Sequence, residues 1–330
     1  MKKIISIFFS AAALMLFSAT SNAQDPVAPS DPSTDGVVYS VPATFMDFNL
    51  DPTAAGMGNI GTVLRPTSFA MWNNMAATTL AKDKFSVGVS YGMWQPSTAG
   101  DNIVSAAGYG KIKDWVSISA GIKYFNHSAY DITDANGQHT GAYSPGDMMI
   151  GVGAAFKFLK IASVSVNLNY VYSSLHPDYV FNGVSADVAA MVDLSFLRIG
   201  LTASNFGMDI QYAEEGAVNQ MPANVKLGLA TTQHFGHSKK HELTVGVQAG
   251  MFVFHDTFVA DAGIEYMFNN FFRVSAGYHY ADSLSYIPQN VSFGLGLRVW
   301  KLHINASYLL GLESASPLTN SFSVGASIAF

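Results

Sequence analysis

Apolar and small polar residues alternate one by one through most of the chain from Lys84 onward, and this alternation limits what the chain can fold into. Phe85, Val87, Val89, Tyr91 and Met93 are separated by Ser86, Gly88, Ser90 and Gly92. Val164, Val166, Leu168, Tyr170 and Tyr172 obey the same rule, as do Val291 to Val299 and Phe322 to Phe330. A period of two puts one set of side chains on each face of a sheet. No later segment offers the 18 or more apolar residues of a spanning helix. One face is apolar and the other is Ser, Gly and Asn, which is the pattern of a barrel with lipid outside and a polar lumen inside. A soluble sandwich also alternates, but its outer face would carry Lys and Glu. Here only 12% of residues are charged, about half the usual ~25%. Tyr91, Trp94, Trp115, Tyr124, Tyr170, Tyr172, Tyr278, Tyr280 and Trp300 stand near strand ends, where an interfacial aromatic girdle is expected.

The alternation predicts fourteen strands near 84–94, 102–113, 115–126, 147–158, 162–173, 184–196, 198–206, 222–232, 241–254, 257–267, 271–281, 289–299, 301–310 and 319–330. The fold class is therefore all-β, a transmembrane outer-membrane barrel of about 14 antiparallel strands. Connections after even strands are mostly tight, while those after odd strands include the long ones: 126–146, 174–183, 207–221, 282–288 and 311–318. Short turns belong to the periplasm and long loops to the outside. The pair His255-Asp256 is a short exception on the outer side.

Lys2 and Lys3, the apolar run Ile4 to Phe17 and the small residues Ser21-Asn22-Ala23 read as a cleaved signal peptide over 1–23. Losing the two lysines takes the net charge from −6 to −8. An acidic, cysteine-free, aromatic-rich chain excludes a basic nucleic-acid binder, a disulfide scaffold and a disordered protein. Residues 24–83 form a periplasmic lead and an N-terminal segment, and 84–330 form the barrel. Phe330 ends the last strand on the lipid-facing register and resembles the signal by which the barrel-assembly machinery recognises outer-membrane proteins.

Gly56-Met57-Gly58-Asn59-Ile60-Gly61 matches G-x-G-x-x-G, but no βαβ unit surrounds it and Pro66 interrupts the next segment. Small residues here suit close backbone packing in a narrow lumen. Asp51, Ala54, Ala55, Gly56, Met57, Gly58 and Gly61, then Trp72 and Asn73, resemble the PorV/PorQ family of Bacteroidota outer-membrane proteins, relatives of the FadL long-chain fatty-acid transporters. That family usually continues Trp-Asn-Pro-Ala. This chain reads Trp72-Asn73-Asn74-Met75-Ala76, with the proline lost and one residue added. The resemblance implies a FadL-type barrel with its N-terminal segment folded into the lumen as a hatch. It also implies a non-enzymatic role in type IX secretion, with secretion subunits or cargo signal domains as partners. The modest loops favour the PorQ-like or an unassigned branch. A FadL-like transporter of hydrophobic molecules is the alternative, and outer-membrane lipid surrounds either.

Catalytic and metal constellations do not hold up. His237 and His241 lie in a turn without the glutamate of a zinc motif. Asp131 to Gly137 lacks the ligand spacing and distal Glu of a calcium loop. Glu214-Glu215 sits in an outer loop, where solvation accounts for it. No cofactor is expected. Lys123, Arg273, His279 and Arg298 are read as scarce lumen charges, with Arg273 and His279 on one face of a strand, where they either pair with polar groups of the hatch or are simply solvated in the lumen. The loop tips Tyr179-Val180-Phe181 and Met208, Ile210 and Tyr212 offer apolar surface for a partner.

Overall fold

The computed structural model describes residues 43–330 except 97–100, 135, 213–217, 237, 239, 255, 283–284, 313–315 and 317. The signal peptide and the lead up to residue 42 lie outside the described residues.

Strands β1 (Phe85–Trp94), β2 (Asp101–Lys113) and β3 (Val116–Asn126) precede a short hairpin, β4 (Tyr130–Thr133) and β5 (His139–Tyr143). Then come β6 (Gly146–Leu159), β7 (Ala162–His176), β8 (Tyr179–Asp193), β9 (Arg198–Gly207), β10 (Asn224–Phe235) and β11 (His241–Phe252). The chain finishes with β12 (Thr257–Phe268), β13 (Phe272–Ala281), β14 (Asn290–Val299), β15 (Leu302–Gly311) and β16 (Ser321–Ala329). Every strand except β4 and β5 joins one closed barrel of fourteen, with neighbours antiparallel, and β1 closes on β16. Among the described residues, no helix is long and apolar enough to cross a membrane.

The period of two is realised in burial. In β1, Phe85, Val87 and Val89 are exposed while Ser86, Gly88 and Ser90 are buried. In β7, Val164, Val166, Leu168 and Tyr170 point out, and Ser163, Ser165, Asn167 and Asn169 point in. An outer surface of Val, Ile, Leu and Phe has lipid as its matching solvent. Closure leaves no free strand edge within the membrane, so every wall backbone group can find a partner. At the seam, the carbonyl of Phe330 accepts from the amides of Lys84 and Phe85, and the amide of Phe330 donates to the Phe85 carbonyl.

The structure corrects several sequence expectations. The connection expected over 174–183 is a tight hairpin, because β8 starts at Tyr179 and Ser174 pairs with Val180. Pro177 hides this continuation in the sequence, yet it occupies only the turn. The loop expected over 126–146 carries the separate β4–β5 hairpin. Trp94 does not join the girdle. It turns inward at the end of β1 and stacks on Phe48, with centroids 4.2 Å apart. Phe181 and Ile210 are buried and Tyr212 packs against them, so these apolar tips close over the lumen. Tyr179 and Met208 stay exposed.

The lumen is filled by residues 43–83. From the loop end the segment passes through a 3-10 turn (Thr44–Asp47), one helical turn (Pro52–Ala55) and two further 3-10 turns (Ala70–Trp72 and Met75–Leu80) before entering β1 at the turn end. Asp51 caps the helical turn by accepting from the Thr53 amide at 2.9 Å, and it accepts from the Thr67 hydroxyl at 2.6 Å. Phe45, Met46, Phe48 and Leu50 form a roof with wall residues Ile103, Phe125 and Met149 and loop residues Ile210, Met221, Ile287 and Leu318. Lower down, Met57, Ile60 and Val63 are fully buried.

Gly58 holds φ +73° and lies against β12 and β13, where a Cβ would come within 2.6 Å of the Tyr278 amide nitrogen. A Cβ on Gly277 would sit 2.0 Å from the Gly58 nitrogen. Real Cβ contacts do not come this close, and both partners are backbone. Gly277→Ala is therefore expected to lower stability by about 3 kcal/mol, the upper range of overpacking, and to speed proteolysis of the N-terminal segment. Gly141→Ala, on the open β4–β5 hairpin with nothing within 4 Å, is expected to change neither. Thermal unfolding in detergent and timed proteolysis compare the two.

Candidate functional site: the hatch and its lumen

Backbone held inside a lumen needs partners for its polar groups, and the wall supplies them. Ser292 Oγ accepts from the Gly58 amide at 2.8 Å. Gln248 Oε1 accepts from the amides of Gly61 and Thr62, both at 3.2 Å, while its Nε2 donates to Asn59 O at 3.1 Å and to Asp261 at 2.6 Å. Asn167 donates to Met71 O and Ser163 to Ala76 O. Trp72 donates its indole N–H to Ser105 at 3.1 Å. Asn73 packs its side chain against Gly61, where a Cβ would clash.

Asn74 stands at the departure from the family pattern and does more than fill it. Its Oδ1 caps the next 3-10 turn at Ala76, and its Nδ2 donates to Thr62 O at 2.8 Å and to Ala190 O at 3.0 Å. One side chain thus ties two parts of the hatch to β8.

Two lysines fasten the roof. Lys123, fully buried on β3, donates to Met46 O at 3.0 Å and Phe48 O at 3.2 Å, with its ammonium 5.0 Å from the Trp72 ring centre. Lys226 on β10 pairs with Asp47 at 3.0 Å, and Asn224 also donates to that carboxylate. Sequence reasoning finds Lys123 but misses Lys226 and Asp47.

The other expected lumen charges have different partners. Arg273 donates to Glu265 at 3.0 Å and Asn305 at 3.1 Å, both on the wall. His279 Nδ1 lies 2.5 Å from Asp261, also on the wall. Arg298 donates to Asn270 at the turn-end rim. The direct bonds of Arg273 and His279 therefore brace β13 against β12 and β15, not the hatch. His279 reaches the hatch only through Asp261 and Gln248.

Two cavities of about 40 Å³ lie beside the hatch, each with room for a few waters. One is polar, between Asp47, Asn49, Asn73, Asp187, Asn205 and Lys226. The other is mainly apolar, between Phe48, Leu50, Trp94, Ile103, Ile287 and Phe322, with His279 at its edge.

The polar groups of the turns and loops have concrete partners. Asp134 accepts from the amides of Asn136 and Gln138, as a hairpin turn requires. His241 is the first residue of β11 rather than part of the turn, and it bonds Tyr266 at 2.7 Å. His237, Glu214 and Glu215 lie outside the described residues. Phe330 is half exposed to lipid, and the Lys301 ammonium sits 4.0 Å from its ring centre.

At the loop end His127 lies 2.8 Å from Asp147 and 3.5 Å from Asp101, joining the outer ends of β2, β3 and β6. Burial alone would lower its pKa, but bonding and attraction to the two carboxylates outweigh it and raise it to about 9. The folded value exceeds the ordinary 6.5, so this clamp contributes fully below about pH 6.5 and is lost as pH rises through about 9. Amide exchange around 127–145 is expected to accelerate as pH rises through that window beyond the intrinsic rate, and His127→Gln is expected to remove that extra rise.

Breaking a buried pair by removing one partner costs about 3–5 kcal/mol. Lys226→Ala is accordingly expected to lower stability and to expose residues 43–50 to protease. Arg273→Ala is expected to lower stability while leaving hatch proteolysis unchanged, since its bonds end on the wall. Equal hatch cleavage in the two variants would overturn this division.

The arrangement matches known barrels in fold. The toluene transporter TbuX of Ralstonia pickettii aligns at TM-score 0.60 and 15% identity, over 86% of this chain and 98% of its own. The Pseudomonas putida toluene transporter TodX aligns at 0.58 and 14%, over 84% and 96%. A Pseudomonas aeruginosa FadL homologue aligns at 0.52 and 12%, over 84% and 97%. No curated protein matches the sequence. The profile of the type IX secretion system protein PorV matches residues 32–197, half of the chain. With the closed barrel and its lipid-facing surface, this match identifies the chain as an outer-membrane member of the PorV family.

Proposed function

We propose that this protein serves type IX secretion as a non-catalytic docking barrel. Its loop end holds a protein partner, either the signal domain of a secreted cargo or a subunit of the attachment machinery. The observation that carries this reading is the filled lumen. Residues 43–83 bond to the wall at Ser292, Gln248, Asn167, Ser163, Lys123 and Lys226, so traffic through the barrel would have to displace a multiply bonded plug. The work then falls to the outer face. There the β4–β5 hairpin stands apart from the barrel sheet and presents Tyr130 and Tyr143 beside His176 and Tyr179. Tyr130 and Tyr179 are exposed while Tyr143 is half-buried with its hydroxyl on Ser174, and exposed aromatics held on an ordered element suit protein recognition.

The apolar cavity under the roof supports a second reading, a site for a small hydrophobic molecule, and the toluene transporters share the fold. The two readings separate in one experiment. The protein is purified from its native outer membrane beside a variant in which residues 130–143 are replaced by a short Gly-Ser link. The docking reading expects a secretion subunit or cargo domain to co-purify with the intact chain and to fall at least tenfold with the variant, while the barrel stays heat-modifiable on gels. Retained lipid or fatty acid with no protein partner would shift the assignment to transport.

A further inference from the structure

Charge is segregated along the barrel axis. The loop-end connections 95–100, 127–145, 177–178, 208–223, 253–256, 282–289 and 312–320 contain no Lys or Arg. Lysines instead gather at the turn end, and there they concentrate on one arc. The β2–β3 and β6–β7 turns are neighbours, since Val116 pairs with Phe156 and the Lys157 amide donates to Trp115 O. Lys111, Lys113, Lys157 and Lys160 all lie on these two turns or the strand ends that feed them, with Asp114 the one carboxylate among them. Lys111 is spoken for by the Ala81 carbonyl. Lys113 and Lys160 are exposed, and among the described residues neither forms an ion pair. The adjoining β8–β9 turn adds one carboxylate, Asp193, whose amide donates to Ile161 O, and on the far side of the barrel the β12–β13 turn has two asparagines.

The same two turns continue the barrel's exposed apolar band. Trp115, Phe158 and Leu159 are 51%, 62% and 56% exposed, with Ile112 and Ile161 beside them. The Lys113 ammonium lies 5.7 Å from the Trp115 ring centre. In the membrane this band is covered by acyl chains, and Trp marks headgroup depth. Lysines at that depth stand where the phosphates of those same lipids lie. An ammonium beside a lipid-facing ring, without a carboxylate partner, matches the phosphodiester of an anionic phospholipid.

We infer that the arc formed by the β2–β3 and β6–β7 turns is a binding site for anionic phospholipid of the leaflet at the turn end. Lys113 and Lys160 contact the phosphate, and Trp115, Phe158 and Leu159 seat the chains. This site is independent of what docks at the loop end. A soluble acidic protein would use the lysines but leave the apolar band bare, so lipid accounts for both halves of the surface.

The full mature protein is placed in nanodiscs of phosphatidylethanolamine with a minor share of phosphatidylglycerol, and bound lipid is counted by native mass spectrometry. Wild type is expected to retain phosphatidylglycerol above its bulk share, less so in high salt. Lys113→Gln/Lys160→Gln is expected to cut that enrichment at least fivefold. Lys240→Gln, at the β10–β11 turn, is expected to leave it unchanged. All three barrels should remain heat-modifiable, so a misfolded variant is recognised and replaced by Lys113→Gln alone, for which a drop of at least twofold is expected. The inference is overturned by absent enrichment in wild type, by equal enrichment in the lysine variants, or by an equal drop in Lys240→Gln. It is also overturned if these lysines prove instead to crosslink to an acidic protein while lipid retention is unaffected.

Discussion

The contact on which the interior depends is backbone against backbone at Gly58 and Gly277. Nothing larger than a hydrogen fits between them, and the neighbours repeat the theme, with Gly56 on Gly294 and Met57 O over Gly263. A fourteen-strand barrel has a lumen too wide for wall side chains alone to fill, yet a folded segment with side chains on every face would not fit. Removing Cβ atoms from both surfaces along one contact line lets the segment approach β12, β13 and β14. The G-x-G-x-x-G spacing is thus a packing device. Its glycines meet wall strands where a nucleotide site would meet phosphates.

Close approach creates an obligation as well as a fit. Hatch backbone pressed against a wall that is already hydrogen-bonded to itself cannot use wall backbone as its main partner. Wall side chains must do it, and these are the Ser, Asn and Gln residues that make the inner face polar. The small polar register of the strands therefore serves a plug rather than a water column. The ionic residues obey the same logic. Lys123 caps carbonyls that the roof leaves unpaired, and Lys226 neutralises the carboxylate that accompanies them.

The wall is legible in the sequence because lipid imposes a strict rule on every second residue. Barrel strand ends agree within a few residues throughout, with β8 the widest difference. Trp94 is the instructive exception among the aromatics. Its residue type suggests an interface, while its packing on Phe48 places it inside, so residue type is the weaker guide at a strand end. The hatch motif is legible as small residues, but its partners are not. Gln248 and Asn74 look like ordinary polar residues until the fold brings backbone groups to them. Arg273 and His279 point to the hatch only while their own strand is considered alone. The β12–β13 hairpin places Asp261 opposite His279 and Glu265 two residues from the partner of Arg273. Two carboxylates on one strand mirrored by two bases on the next is a pattern that hairpin arithmetic can expose.

The distribution of these interactions separates holding the barrel from holding the plug. Arg273, Glu265, His279 and Asp261 join wall to wall, so they persist whether or not the hatch moves. Asn74, Gln248, Lys123 and Lys226 join hatch to wall, and most of their partners are main-chain groups. A small ligand in the apolar cavity touches few of these bonds, whereas the polar cavity is lined by Asp47, Lys226, Gln248, Gly61 and Thr62 and lies against several of them. A protein bound at the loop end could engage the roof loops, which share one apolar cluster with Phe45 and Phe48. The hatch ties are therefore reached both from the outer face and from the polar cavity. In a chain built this way, a partner seated on the loops acts on the roof, while a polar solute in the lumen acts on the Asp47–Lys226 and Gln248 ties beneath it.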